Sequence, residues 1–145
     1  MKVNNNGVAV VEMAIILPIL MILIFGIIEF GFIIYNKAMI TNASREGARL
    51  GIVFHVTDGV LDPISDLTIT ERINSYLGTY LVSLGAPSAP VIDISRAENP
   101  ETGDLSPGGT LTVDVSYDYR FLILHLFGSS GPTVGLGSRT VMRFE

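Results

Sequence analysis

The chain has 145 residues, a net charge of −5 and no cysteine. The lack of cysteine excludes disulfides, zinc–thiolate sites and thiol catalysis. The acidic balance argues against nucleic acid as a partner, because phosphate binding needs clustered lysine and arginine.

The first feature along the chain is an apolar segment that covers residues 7–35. Glu12 is its only ionisable residue before Glu29. At about 1.5 Å of rise per residue, such a helix crosses a hydrocarbon layer roughly 30 Å thick. A soluble core helix would show a polar stripe at helical spacing, and this segment shows none. The segment therefore predicts a membrane-spanning helix over residues 8–35, with membrane lipid around it and residues 36–145 left for one small domain.

Glu12 distinguishes this segment from a plain anchor. A carboxylate costs about 2.5–3.5 kcal/mol at the bilayer centre, so an anchor alone would more cheaply carry leucine. Glu12 lies five residues after Gly7, which ends the short polar leader MKVNNNG. This arrangement resembles the processing site of type IV pilin precursors. Cleavage after Gly7 would expose an amine at Val8, which in a filament can neutralise Glu12 of a neighbouring subunit. The alternative is a signal anchor with Glu12 among the headgroups.

The charges that flank the span do not fix its orientation. One cation precedes it and three follow it, a bias that favours a cytoplasmic C-terminal side: Lys2, then Lys37, Arg45 and Arg49. The three later cations belong to a continuing helix rather than a loop, so they carry less weight. Glu29 is expected to mark the outer membrane boundary, with a packing contact to another subunit as the alternative.

Beyond the span the helix is predicted to continue as an amphipathic half and to end between Gly51 and Gly59. Its apolar residues recur at spacings of three or four: Tyr35, Met39, Ala43, Gly47 and Leu50. The polar residues of this half are assigned to its other faces: Asn36, Lys37, Thr41, Ser44 and Arg45. Gly47 and Gly51 are spaced for close helix contact. Arg45 has no assigned role, and Glu46 and Arg49 form a local pair worth a few tenths of a kcal/mol.

The rest of the chain predicts one more helix and about three strands. The helix covers Thr68–Leu84, with Thr68 and Glu71 as a capping box and Gly85–Pro87 as its stop. Strands are expected at three places: residues 91–94, 111–119 and 136–145. A turn is expected at residues 105–109, and the apolar run 121–127 is either a buried helical turn or a contact surface. The predicted fold class is α+β, a long N-terminal helix and a shorter helix against a small antiparallel sheet.

The pairing of the last two strands can be predicted from their charges. If they lie side by side, Arg139 and Arg143 face Asp114 and Asp118. Such cross-strand pairs contribute roughly 0.2–1 kcal/mol each and help to fix the register.

Several motifs together resemble the TadE-like family, the minor pilin-like (pseudopilin) proteins of the bacterial tight-adherence (Tad) pilus. They are GVAVVE, EMAIILPIL, GIIEFG and NASREGARLG within residues 7–51, then LTVDVSYDY and SRTVMRFE. Met13 departs from the family, which usually has Phe directly after the glutamate. The resemblance implies a leader over residues 1–7, a transmembrane part over 8–35 and an extracytoplasmic domain over 36–145.

The resemblance also implies a function and partners. A prepilin peptidase would cut between Gly7 and Val8, and Glu12 would serve in processing and subunit contact. The partners would be other pilin-like subunits and the inner-membrane pilus assembly machinery. The protein would cross the bacterial inner membrane once, with its N-terminus inside, and could enter an extracellular pilus.

Catalysis is not expected, and neither is a cofactor or a metal. His55 and His125 lie in different apolar surroundings without a nucleophile, phosphate loop or ligand spacing beside them. Asp58, Asp62 and Asp66 are four apart, but the intervening Gly59 and Pro63 argue against one helical face. The alternative function is an unprocessed, membrane-tethered binding or adhesion domain. It predicts an intact Met1 and tolerance of Glu12→Leu.

Overall fold

The computed structural model describes residues 6–57, 60–82, 88–103, 108–121 and 133–144. It confirms the α+β class, with two helices and two antiparallel sheets in this part of the chain. The elements in chain order are α1 (Asn6–Gly51), β1 (Phe54–Thr57), β2 (Val60–Pro63), α2 (Asp66–Tyr80), β3 (Val91–Ala97), β4 (Thr110–Arg120) and β5 (Thr133–Arg143).

Helix α1 is 46 residues long, which corresponds to about 69 Å. It runs without interruption from the apolar segment into the folded domain, with Pro18 inside it, and ends at Gly51 as predicted. All residues from 7 to 28 are exposed, whereas residues on one face from Glu29 onward are buried. One helix therefore supplies both a free apolar half and part of the domain core.

The main sheet has the strand order β3–β4–β5, with antiparallel pairing throughout. The predicted alternation of β4 is confirmed, because Leu111, Val113, Val115, Tyr117 and Tyr119 are all buried. Helix α1 covers this face through contacts with β4 and β5, and α2 packs on α1. The core unites residues from both helices and the sheet: Ile40, Ala43, Ala48, Ile69, Ile73, Leu77, the five β4 residues, Leu136 and Phe144.

One of the two predicted charge pairs is present in the sheet. Asp114 lies directly across from Arg139, and Arg139 Nη2 is 2.8 Å from Asp114 Oδ2. The pairing of Arg143 with Asp118 is wrong. In an antiparallel ladder, four residues forward on β5 correspond to four residues back on β4, so Arg143 faces Thr110 and Asp118 faces Gly135.

The sequence missed the β1–β2 hairpin and misplaced the start of α2. Asp62 and Pro63 lie in β2, the second strand of this hairpin. Helix α2 begins at Asp66 and not at Thr68; its N-cap is Ser65, whose hydroxyl accepts from the Thr68 N–H. It ends at Tyr80 rather than Leu84, with Leu81 as C-cap. The expected stop at residues 85–87, the turn at 105–107 and the run 122–127 lie outside the described residues.

The buried face of α1 differs from the predicted apolar stripe. Ala43 and Gly47 are buried as expected, but Tyr35 is 40% exposed. Asn36 and Ser44, assigned to other faces, are fully buried. Hydrogen bonds satisfy both side chains, so their burial carries no desolvation penalty of the size that unpaired polar groups incur.

Candidate functional site

The residues of the expected processing motif lie in the first turns of α1. Gly7, Val8 and Glu12 are exposed, and a Cβ atom added at Gly7 would meet no other atom within 4 Å. The Gly7–Val8 peptide bond lies within α1, next to the first residue that the structure describes.

Val8 and Glu12 are four residues apart, so they share one face of α1. Helical side chains lean toward the N-terminus, which directs the Glu12 carboxylate toward residue 8. The structure thus brings Glu12 and the expected cut site onto one surface. The remaining leader residues, 1–5, lie outside the described part of the chain.

The exposed apolar half of α1 is a candidate membrane span by length and composition. The 22 residues from 7 to 28 measure about 33 Å, close to the thickness of a hydrocarbon layer. None of them is covered by the domain. This surface is therefore available to lipid or to other helices along its whole length.

Glu29 lies where the domain begins to cover α1. Only 6% of it is exposed, and the Tyr119 hydroxyl donates a hydrogen bond to Glu29 Oε1 over 2.8 Å. Burial, and then the bond to this carboxylate, raise the pKa of Tyr119. The sequence favoured a boundary role for Glu29 and gave no sign of this contact, because β4 lies 90 residues away along the chain.

Two further side chains of α1 attach the helix to distant segments. The Asn36 amide donates to the Val82 carbonyl over 2.8 Å and accepts from the Val82 N–H over 3.0 Å. The Lys37 ammonium donates to the carbonyl of Gly137 in β5. Together with Glu29, these contacts hold the second half of α1 rigidly against the domain.

Polar contacts continue toward the C-terminal end of α1. The Ser44 hydroxyl lies 3.0 Å from the Ser138 hydroxyl and 2.8 Å from the Thr140 hydroxyl. The predicted Glu46–Arg49 pair is confirmed at 3.2 Å, and Arg72 of α2 joins it at 3.0 Å. The hydrogen bond from Arg72 and those from Arg49 lower the pKa of Glu46 against the opposing effect of desolvation. Arg45 is exposed.

The described residues show no cluster of three or more His, Cys, Asp or Glu side chains that could hold a metal ion. His55 is exposed in β1 and faces Asp62 across the hairpin. Asp66 starts α2 and forms an ion pair with Arg96. His125 and Asp58 lie outside the described residues.

In the part of the chain that the structure describes, one helix is a candidate membrane span, and an α+β domain packs on the second half of that helix. Residues 7–49 match the family model described as TadE-like protein. The resemblance stated from the sequence is thus confirmed over residues 7–49, which make up nearly all of α1. No curated protein and no solved structure matches the chain.

Proposed function

We propose that this chain is a minor pilin (pseudopilin) that takes part in assembly of a tight-adherence pilus and has no catalytic activity. One observation carries the proposal. The TadE-like match covers a helix whose first half is apolar and uncovered and bears Glu12 one turn from Val8. In this role the free half of α1 inserts into the bacterial inner membrane, and the domain lies outside.

Processing is the first step of the proposed function. A prepilin peptidase removes residues 1–7 by hydrolysing the Gly7–Val8 bond. The absence of a side chain at Gly7, where a Cβ atom would meet nothing within 4 Å, leaves that backbone accessible to the peptidase. The new Val8 amine is cationic at neutral pH.

Glu12 then serves assembly. In the isolated subunit, the Val8 amine and the Glu12 carboxylate are one helical turn apart, so they can pair within the chain and reduce the cost of inserting the carboxylate. In the filament, the amine of an incoming subunit pairs with Glu12 of its neighbour. An unpaired charge in apolar surroundings is strongly unfavourable, so this pairing favours one stagger between adjacent helices.

The N-terminus of the mature chain tests the proposal. In cells that contain the peptidase, mass spectrometry of the membrane-extracted protein should find Val8 as the first residue. A Gly7→Leu variant should remain a precursor. The matched control is Gly26→Leu, since Gly26 is likewise in α1 with open space around it, and this variant should be cut normally.

Two outcomes would contradict the proposal. A wild-type chain that keeps Met1 in piliated cells would support the unprocessed, tethered binding domain. Normal cleavage of the Gly7→Leu variant would show that the peptidase cuts at a different peptide bond.

A further inference from the structure

An apolar groove lies beside α1 just beyond its free half. It has a volume of about 330 Å³ and is lined by Ile28, Gly31, Phe32, Tyr35 and Val82. The four α1 residues follow one another at helical spacing, so they form one wall, and Val82 forms the other. Gly31 leaves the notch between them open, because a Cβ atom there would meet nothing within 4 Å.

The position of the second wall is fixed by a buried polar residue of α1. Both hydrogen-bonding groups of the Asn36 amide bind the backbone of Val82, and Asn36 is completely buried. Val82 follows α2, which ends at Tyr80 and packs on α1 through Ile69, Ile73 and Leu77. The groove is therefore a preformed feature of the domain.

The level of the groove along α1 points to its occupant. From Val8 to Ile28 the helix rises about 30 Å, the thickness of the hydrocarbon layer. The groove starts at Ile28 and extends about 10 Å further, to Tyr35, at the depth of the outer headgroups and the first acyl carbons.

The chemistry of the surrounding surface agrees with this depth. Phe30 and Ile34 are 63% and 55% exposed, so apolar surface continues past Glu29 on the side of α1 that the domain leaves open. Tyr35, at the far end of the groove, is a residue type that concentrates at membrane–water interfaces. Among the residues that the structure describes, no charged side chain lines the groove.

We propose that this groove holds the first acyl carbons of an outer-leaflet phospholipid and so seats the base of the domain in the membrane interface. The inference rests on the proposed membrane insertion of α1. It adds a specific lipid contact, made by the domain through Val82, to the general contact of a spanning helix. A second copy of the chain, or another subunit, is the competing occupant.

Fluorescence quenching by brominated lipid tests this site. The chain contains no tryptophan, so Tyr35→Trp introduces a single fluorescent reporter at the groove. In phosphatidylcholine vesicles whose acyl chains are brominated near the headgroup, this reporter should lose most of its emission. The control Val141→Trp, at an exposed position of β5 whose neighbour Thr140 contacts Ser44, should keep its emission.

A second substitution distinguishes quenching by lipid bound in the groove from quenching by lipid elsewhere in the membrane interface. Gly31→Leu fills the notch, so the groove reporter in this background should recover most of its emission. Gly26→Leu, which lies outside the lining, should leave the quenching unchanged. Equal quenching with and without Gly31→Leu would overturn the inference, because lipid would then reach the reporter outside the groove.

The remaining outcomes separate this inference from the proposed function. If the Tyr35→Trp chain floats with the vesicles but its reporter is not quenched, the acyl-chain site is wrong while insertion stands. If the emission of the reporter changes with the protein-to-lipid ratio and not with lipid bromination, the groove binds a second copy of the chain and the lipid site is wrong. A chain that fails to float would overturn both the site and membrane insertion.

Discussion

Glu12 is the only ionisable side chain in the free half of α1, and its proposed role predicts opposite effects on two measurements. Glu12→Leu should leave membrane insertion intact or improve it, since a carboxylate costs about 2.5–3.5 kcal/mol at the bilayer centre and less near an edge. The same variant should enter pili at least about tenfold less, because the incoming Val8 amine loses its partner in apolar surroundings. Vesicle flotation measures the first effect, and immunoblots of sheared pili measure the second.

Ile16→Leu is the matched control for this prediction, because residue 16 lies one turn beyond Glu12 on the same face. It should insert and assemble as the wild type does. Unchanged incorporation of the Glu12→Leu chain would exclude the pairing role and leave Glu12 as a headgroup-level residue.

Glu46 is the residue for which the structure predicts a pH dependence. Its pKa is lowered in the folded state by the hydrogen bond from Arg72 and then by those from Arg49. A lowered pKa contributes stability that is present above the unfolded value, about 4.3, and lost as the pH falls through the folded value. Both arginines are more than half exposed, so the effect should stay below about 1 kcal/mol and weaken with salt.

The measurement is urea unfolding in detergent at a series of pH values from neutral to acidic. At neutral pH, Glu46→Gln should unfold at slightly lower urea than the wild type, and the difference should vanish in acid. Glu71→Gln removes an exposed acid of α2 and should show no such convergence. A Glu46→Gln deficit that persists in acid would mean that packing, not charge, is responsible.

Among the helices and strands, the sequence correctly predicts those whose residues follow a regular local pattern. The alternation in β4 and the apolar run of α1 have clear periods, and both elements form as expected. The β1–β2 hairpin was missed because two four-residue strands are too short to show a period. The α2 start was placed at Thr68 because the capping-box pattern fits there, yet Ser65 three residues earlier takes the cap.

The two glycines at the crossing of α1 and α2 are a local sequence pattern that correctly predicts a close helix contact. Gly47 and Gly51 were interpreted as a site of close helix contact, and α2 does pack directly on them. A Cβ atom at Gly47 would lie 2.5 Å from Ile73 Cδ1, and one at Gly51 would collide with Ile69 and Leu111. The close approach thus occurs within the domain.

Gly47→Ala is therefore expected to destabilise the domain. Overpacking against the fully buried Ile73 costs about 1–3 kcal/mol and outweighs the helix propensity that alanine gains, about 1 kcal/mol. Gly78→Ala in α2 is the control, because a Cβ atom there meets nothing, and it should stabilise by about 0.5–1 kcal/mol. Urea unfolding followed by circular dichroism should show shifts of opposite sign. A stabilising Gly47→Ala would mean that α2 can move aside without loss.

For the whole molecule, the attachment of the domain to its helix could not be predicted from the sequence. Glu29 and Asn36 look like ordinary polar residues near a membrane boundary. Their roles depend on Tyr119 and Val82, which lie 90 and 46 residues further along the chain. Periodicity carries no information about such distant partners, whereas the expected processing motif consists of neighbouring residues and stays a prediction.

Two fragments test where the folded unit begins. A fragment of residues 29–145 should keep the full stability of the domain, because no residue from 7 to 28 is buried. A fragment of residues 36–145 loses the packing of Phe32 and Ile33 on the core and the Glu29–Tyr119 hydrogen bond. It should be less stable by about 2–5 kcal/mol, from two half-buried side chains and one broken buried bond.

Urea midpoints from circular dichroism provide the measurement, and Tyr119→Phe in both fragments provides the control. The substitution should lower the stability of the longer fragment by about 1–3 kcal/mol, because Glu29 then lacks its phenol donor. It should have a much smaller effect in the shorter fragment, where Glu29 is absent, and the difference between the two effects gives the coupling energy between Tyr119 and residues 29–35. Equal midpoints for the two fragments would contradict the prediction and place the start of the folded unit beyond residue 35. The observed burial of Glu29, together with the hydrogen bonds of Asn36, places it at residue 29.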